Sequence, residues 1–415
     1  MKSLLGMSKL IVAALPQVIL SGWAALLLVI ATLLVFVQYR RVAITEAEVY
    51  GIAKHSAWGQ TWRSLAVGAV GGAIGSFVLA WTGIGMLEFD GKAPAILFLW
   101  PLSILLGAIN PRFFCFAYSG TVLALIRLIS GWPEVDIPSI VGLVAVLHMV
   151  EALLIWANGD SCATPMAIAG EGGQAVPGFT LQRFWPVPLV IPLFSSTAAA
   201  PLNMPLWWPL LRPDTTLTSH LAGLGWQLLP AVVTMGYADL AITAPPKQRT
   251  RQSARILLGY SLILLLLAIA SGRWHPVMWV AALFSGLGHE AMAVWSGRLQ
   301  LVGRPYLRRP DRGVAVLDVL PESPAAAAGL TTGAVILAVD DYEVHSKQQL
   351  HDALLSSPAY VRIMYRKGRQ LEHARLPRPE QGLLGLGIIA LPEPGEAAVA
   401  RYRPPAFFRR SGLEK

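Results

Sequence analysis

Charge is what this sequence has least of. Only 14% of its 415 residues are Asp, Glu, Lys or Arg, against about 25% in an ordinary soluble protein. With 54% hydrophobic residues and a mean hydropathy of +0.54, most of the chain cannot face water and belongs in a membrane. Cysteine is also scarce. Cys115 and Cys162 are the only two; they build no disulfide framework and suggest no redox chemistry. No small-residue cleavage site follows the apolar stretch Lys2 to Pro16, so it reads as a retained N-terminus rather than a signal peptide. Phosphate loops, Ser/His/Asp groupings and a nucleophilic cysteine are missing too. The paired broken spans and internal repeats of transporters are likewise not found.

One absence bears directly on catalysis. The run LFSGLGHEAMAVW, Leu283 to Trp295, contains His289 followed by Glu290, which is how a zinc protease motif begins. That motif needs a second His four residues on, so that two imidazoles project from one helical face toward the metal. The position is Ala293. One imidazole cannot hold the ion, and nothing later in the chain supplies a replacement. The text Asn110-Pro111-Arg112 is also not the Asn-Pro-Asp of intramembrane metalloproteases. No catalytic residue, metal ligand set or cofactor is therefore expected. The competing reading is an intramembrane protease-like enzyme or a transporter with a regulatory domain.

What is present begins with apolar runs. A helix crosses hydrocarbon with about 20 apolar residues, which suggests spans near 18–38, 64–86, 93–109, 113–130, 137–157, 187–211, 222–245, 254–272 and 276–296. Eight or nine spans fit. Basic residues set the orientation: Arg40, Arg41, Lys54 and Arg63 in one loop, Lys247, Arg249, Arg251 and Arg255 in another, and Arg298, Arg304, Arg308 and Arg309 after the last span should be cytoplasmic. The turns with Glu88 and Asp90, Glu134 and Asp136, and Arg212 and Asp214 then lie outside. Nine spans put the N-terminus with Lys2 and Lys9 outside, eight put it inside, and the C-terminal part is cytoplasmic either way. The same cytoplasmic Lys and Arg explain the net charge of +9, so no nucleic-acid partner is expected.

Ionisable groups in the bilayer are costly and invite a functional reading. Arg127, His148, Glu151, Asp239, His289 and Glu290 qualify. His148 and Glu151, three apart on one helical face, suit a proton or ion relay. The alternative is structural: Arg127 and Glu151 reach water near helix ends, His148 and Asp239 hydrogen-bond between helices, and His289 with Glu290 forms a polar pair near a cytoplasmic helix end.

After the last span the composition turns globular. In GVAVLDVLPESPAAAAGLTTGAVILAVDDYEV, from Gly313, apolar residues alternate as in a strand, Ser323 opens a short helix and Gly329 closes it. Ser346 caps a second helix with Leu350, Ala353 and Leu354 on one face, and Arg366-Lys367-Gly368 reads as a hairpin turn. The SPAAAAGL text followed by VILAVD resembles a bacterial PDZ domain over about Asp311 to Ala390. Ala334 stands where Asp is usual, and Asp340-Asp341 where Asn-Gly or Asp-Gly is usual. The fold class expected is thus an α-helical polytopic membrane bundle followed by a small α/β PDZ-like domain, with residues 1–297 in the membrane, 298–392 forming the PDZ domain and 393–415 a basic tail. In that tail Phe407 and Phe408 stand among arginines; contact with anionic lipid competes with a solvated, disordered state.

A PDZ domain takes an extended peptide as an added strand and holds its terminal carboxylate on a Gly-flanked loop. The matching text here is GLLGLGII at 382–389, after the other elements. This suggests a permuted domain in which Leu384, Gly385, Leu386 and Gly387 form the carboxylate nest while Leu350 and Leu354 line the groove; an ordinary closing strand without a ligand is the alternative. Substituting Val at Gly385 or Gly387 is expected to leave the domain folded.

The whole chain is similar to the MinJ family of Gram-positive bacteria. The resemblance rests on the loop ATPMAIAGEGGQAVPGFTLQRFWPVPL from Ala163, the His-Glu ending of the last span at LFSGLGHE, and the PDZ segment. It implies a multi-pass cell-division scaffold at septum and poles, bridging the polar protein DivIVA to the Min inhibitors of FtsZ assembly, with no enzymatic activity.

Overall fold

The computed structural model describes residues 2–88, 95–170, 174–195, 198, 204, 207–211, 225–357 and 359–399. Asp90, Arg212, Asp214, Phe407 and Phe408 lie outside these residues. In chain order the elements before residue 303 are α1 (Lys2–Ala14), α2 (Gln17–Leu20), α3 (Gly22–Tyr50), α4 (Ala57–Thr82), β1 (Met86–Leu87), α5 (Ile96–Ile109), α6 (Phe116–Ser130), α7 (Ile137–Asn158), β2 (Ala163–Ala169), β3 (Ala175–Ser195), β4 (Gly225–Ala241), α8 (Pro246–Ser271) and α9 (His275–Val302). Among the described residues five helices, α3, α4, α7, α8 and α9, are long and apolar enough to cross a membrane. α7 is apolar all round, and 72% of its span is buried inside the protein. It is the central helix, started by Asp136, whose carboxylate accepts from the N–H of Ser139 at 2.8 Å.

Two expected helical spans are strands. Of the runs at 187–211 and 222–245, residues 187–195 fall on β3 and 225–241 on β4, which pair antiparallel from Phe179 with Ala241 to Ser195 with Gly225; residues 196–197, 199–203, 205–206 and 222–224 lie outside the described residues. The reason lies in proline spacing. Pro186, Pro188 and Pro192 each lack the N–H a helix interior needs, and each clashes with the preceding turn. Hydropathy registers that such a stretch is apolar but not which backbone it adopts.

A sheet inside a helical bundle has to satisfy its edge. The even-numbered residues of β3 turn their polar groups away from β4: the N–H of Phe184 donates to the Tyr39 hydroxyl at 3.2 Å, and that of Val190 to Ser76 Oγ at 2.9 Å. Pro186, Pro188 and Pro192 share that parity and have no N–H to satisfy. Helix α4 closes over this edge with glycine. A Cβ at Gly68 would stand 2.1 Å from the Pro186 carbonyl oxygen, and one at Gly72 only 1.8 Å from that of Pro188.

The C-terminal elements are β5 (Val314–Val319), α10 (Pro324–Ala327), β6 (Val335–Val339), β7 (Tyr342–Glu343), α11 (Lys347–Ser356), β8 (Tyr360–Lys367), β9 (Gln370–Pro377), α12 (Gly382–Gly385) and β10 (Ile388–Ala390). Their sheet runs β10-β5-β6-β8-β9, with β7 paired to β6. Ser323 caps α10 by accepting from Ala326 N–H at 3.2 Å. Gly329 at φ +83° ends it, with Leu330 N–H reaching Ala325 O at 3.1 Å. Asp340 and Asp341 take φ values of +46° and +72°, the backbone of a tight hairpin turn that usually calls for Asn or Gly. The Asp340 carboxylate repays that strain by accepting from Arg362 N–H at 2.9 Å and from the Ser357 hydroxyl.

The domain has its own core around Val316, Ile336, Leu350, Leu354, Val361 and Ile363. It also docks on the bundle. Lys54 forms an ion pair with Asp318 of β5 and donates to Ala163 O at 3.2 Å. Leu317, Ile389 and Leu391 join the apolar cluster of the membrane part.

Candidate peptide-binding groove

Of the residues expected to recognise a peptide, Leu384 to Gly387 lead into β10, whereas Leu350 and Leu354 belong to the domain core. β10 is the edge strand of its sheet. Its pairing with β5, Ile388 to Val319 and Ala390 to Val316, together with the bonds Leu320 N to Gly387 O (2.8 Å) and Leu391 N to Ala315 O (2.9 Å), fixes which groups face outward. By alternation Ile388 and Ala390 turn their N–H and C=O away from β5, the arrangement an added strand needs.

Helix α11 flanks that edge. Its first turn is tied to the chain just after β10: Lys347 N–H donates to Glu393 at 2.8 Å, and Lys347 Nζ to the Glu396 carboxylate at 2.7 Å. One turn on, His351 covers the loop just before β10, where a Cβ on Gly382 would meet its Nδ1 at 2.2 Å. α11 therefore runs alongside β10 in the opposite direction. Leu350 and Leu354, expected to line the groove, are both fully buried and belong to the domain core. On a helix, positions i and i+4 share a face, and the core claims theirs. Lys347 and His351 are the α11 side chains beside the groove.

The loop itself is a helical turn rather than an open nest. Leu386 N–H donates to Leu383 O at 3.2 Å and Gly387 N–H to Leu384 O at 2.9 Å. Leu386 is buried while Leu384 is 39% exposed. Gly385 borders a cavity of about 300 Å³ that Arg378, Glu380 and Leu386 also line. Gly387 has φ +77°, and a Cβ there would stand 2.2 Å from that of Ser323. Gly387→Val is thus expected to break the fold, contrary to the reading of this loop as a tolerant rim. That stringency could not be seen in the sequence, because the contact joins residues 64 positions apart.

Among the ionisable groups, Asp239 lies on β4, not on a helix, and meets Arg249 Nη2 at 2.9 Å. Arg127 bonds to Gly131 O at an exposed helix end. His148 Nε2 and Glu151 stand 4.0 Å apart. Glu290 accepts from Arg112 at 3.1 Å and from Tyr118 at 2.6 Å. In the PDZ domain, burial would raise the Asp340 carboxyl, but the bonds from Ser357 and Arg362 outweigh it and hold the group below its usual range. Burial, helped by Glu372, pushes Tyr365 up to about 12.

A family model described as PDZ domain matches residues 300–372. The chain carries a C-terminal PDZ domain. A probable cell division topological determinant MinJ of Lacticaseibacillus paracasei is 25% identical over 229 residues, 54% of this chain and 58% of that protein. The cell division topological determinant MinJ of Bacillus subtilis is 21% identical over 56% of this chain and 54% of its own length. The chain has MinJ homologues. It matches somewhat over half the length of these curated relatives. The PDZ domain of an SdrC-like protein from Listeria monocytogenes is 28% identical, with 20% of this chain and 93% of that one covered and a TM-score of 0.18.

Proposed function

We propose that this protein is a membrane-anchored scaffold, not an enzyme, whose PDZ domain recruits division proteins by adding their C-terminal peptides to β10. The outward polar groups of Ile388 and Ala390, beside α11 and directly after a Gly-bearing loop, carry this reading. A peptide docked by strand addition binds with micromolar strength, roughly 8 kcal/mol. A scaffold can work at that strength, because anchoring in two dimensions raises local concentration.

The name shared by the relatives supports a place in division-site selection, with DivIVA-like and Min proteins as the partners. The PDZ domain then lies in the cytoplasm, where the basic residues after α9 are retained. On this proposal β3 and β4 stand where two of the eight or nine helical passes were expected, beside five helices that are long and apolar enough to cross a membrane among the described residues. A fluorescent fusion of the full chain in its native cell tests the reading. Enrichment at septa and poles is expected, and uniform membrane fluorescence would overturn it.

A further inference from the structure

His289 is not alone. Although the helical position four residues on is Ala293, two other helices bring ligands to it. The Cys115 sulfur at the start of α6, a ring nitrogen of His148 on α7 and one of His289 on α9 all lie within 4.8 Å of one another. Cys115 Sγ and His148 Nε2 are 3.3 Å apart, close to the separation of about 3.6 Å that a sulfur and a nitrogen keep on one tetrahedral zinc.

Both imidazoles are held ready to ligate. His148 Nδ1 is 2.7 Å from the Val144 carbonyl oxygen; a carbonyl only accepts, so Nδ1 carries the proton and Nε2 keeps its lone pair. His289 Nδ1 is 3.2 Å from the Tyr118 hydroxyl. That hydroxyl gives its own proton to Glu290 at 2.6 Å, and Arg112 holds the carboxylate at 3.1 Å. Tyr118 can therefore only accept from His289, which leaves Nε2 as that ring's ligand atom. Metal-bound histidines are oriented by just such bonds on their other nitrogen. Glu151 stands outside that 4.8 Å cluster, with its carboxylate 4.0 Å from His148 Nε2, and would have to move toward the ion to serve as a fourth group. It lines a cavity of about 570 Å³ together with His289, and another of about 460 Å³ together with Cys115 and His148.

We propose that Cys115, His148 and His289, with Glu151 as fourth ligand, form an intramembrane site for a borderline-soft divalent cation of the zinc class. One thiolate and one carboxylate balance a divalent charge, which matters where uncompensated charge is costly. Thiolate and imidazole select zinc over magnesium or calcium. The ion would staple α6, α7 and α9 together. This assignment does not depend on the PDZ groove.

The test uses the full chain in detergent, stripped with chelator and then titrated with Zn²⁺ or Co²⁺. About one Zn²⁺ per chain should bind, and zinc should raise the melting temperature. Cobalt should give the intense visible bands of tetrahedral coordination and a near-ultraviolet thiolate-to-cobalt band. Cys115→Ser should abolish that ultraviolet band, and His148→Ala or His289→Ala should abolish binding. If the alanine variants do not fold, Cys115→Ser and Tyr118→Phe carry the test, the latter weakening zinc affinity about 10- to 100-fold through His289. Sub-stoichiometric zinc, or stoichiometric metal whose cobalt spectrum is unchanged by Cys115→Ser, would overturn the assignment.

Discussion

Among the described residues, β3 and β10 each have an edge that pairs with no strand over part of its length, and the protein treats the two edges in opposite ways. Along β3 every outward position from Phe184 to Pro192 is disarmed: the N–H groups of Phe184 and Val190 are taken up by Tyr39 and Ser76, and the prolines between them have none. Glycines on α4 then let the helix backbone close on the carbonyls. At β10 no proline occupies the outward positions Ile388 and Ala390. An edge buried in an apolar bundle has to be sealed, because no water is there to serve it. An edge kept at the rim of the PDZ domain, outside that bundle, can stay open for a partner.

Substitutions that unseal β3 should have the largest effect. Gly72→Val forces a Cβ to within 1.8 Å of the Pro188 oxygen, and backbone cannot yield as a side chain tip can. Loss of more than about 4 kcal/mol is expected, seen as failure to recover monodisperse protein. Pro188→Ala keeps the space but adds an N–H facing α4. A cost of about 1–3 kcal/mol is expected from denaturation in detergent, and a melting curve like the wild type's would mean the prolines do not seal the edge.

Opening and closing β10 should separate binding from stability. Ala390→Pro removes one outward N–H, at an edge where proline is tolerated. Binding to an array of C-terminal peptides should weaken at least about tenfold, near 1.4 kcal/mol, with the melting temperature almost unchanged. Equal binding by both proteins would move the interaction elsewhere.

The smallest effect concerns the turn at Asp340. Its folded carboxyl titrates below the unfolded value, so its contribution is fully present above the unfolded pKa of about 3.9 and is lost as pH falls through the depressed folded value. Wild type should lose stability over that acid range more steeply than Asp340→Asn. Parallel pH profiles would contradict the bonding described.

How much of this could be read in advance differs along the chain. The PDZ elements were legible because their signals are local: Ser323 and Ser346 cap the helices they precede, and Gly329 and Gly368 take the positive φ values their turns require. The apolar runs at 187–211 and 222–245 read as helices because hydropathy measures burial, not backbone, and the weight of Pro186, Pro188 and Pro192 was missed. Long-range geometry was out of reach. Leu350 and Leu354 share the helical face expected of them, yet that face meets the core. His289 lacks its partner at Ala293, and the side chains that join it, Cys115 and His148, come from earlier helices that no spacing rule connects to it.

The most direct test of the open edge places a photo-crosslinking residue at Leu384, which is 39% exposed beside the loop, in the full chain in native membranes. A second probe at Leu371, 55% exposed on β9, serves as comparison. Crosslinks from 384 to the C-terminal residues of a partner protein, lost in Ala390→Pro and not obtained from 371, are the expected result. Crosslinks to that partner from 371 but not from 384 would contradict the assignment of β10 as the docking edge.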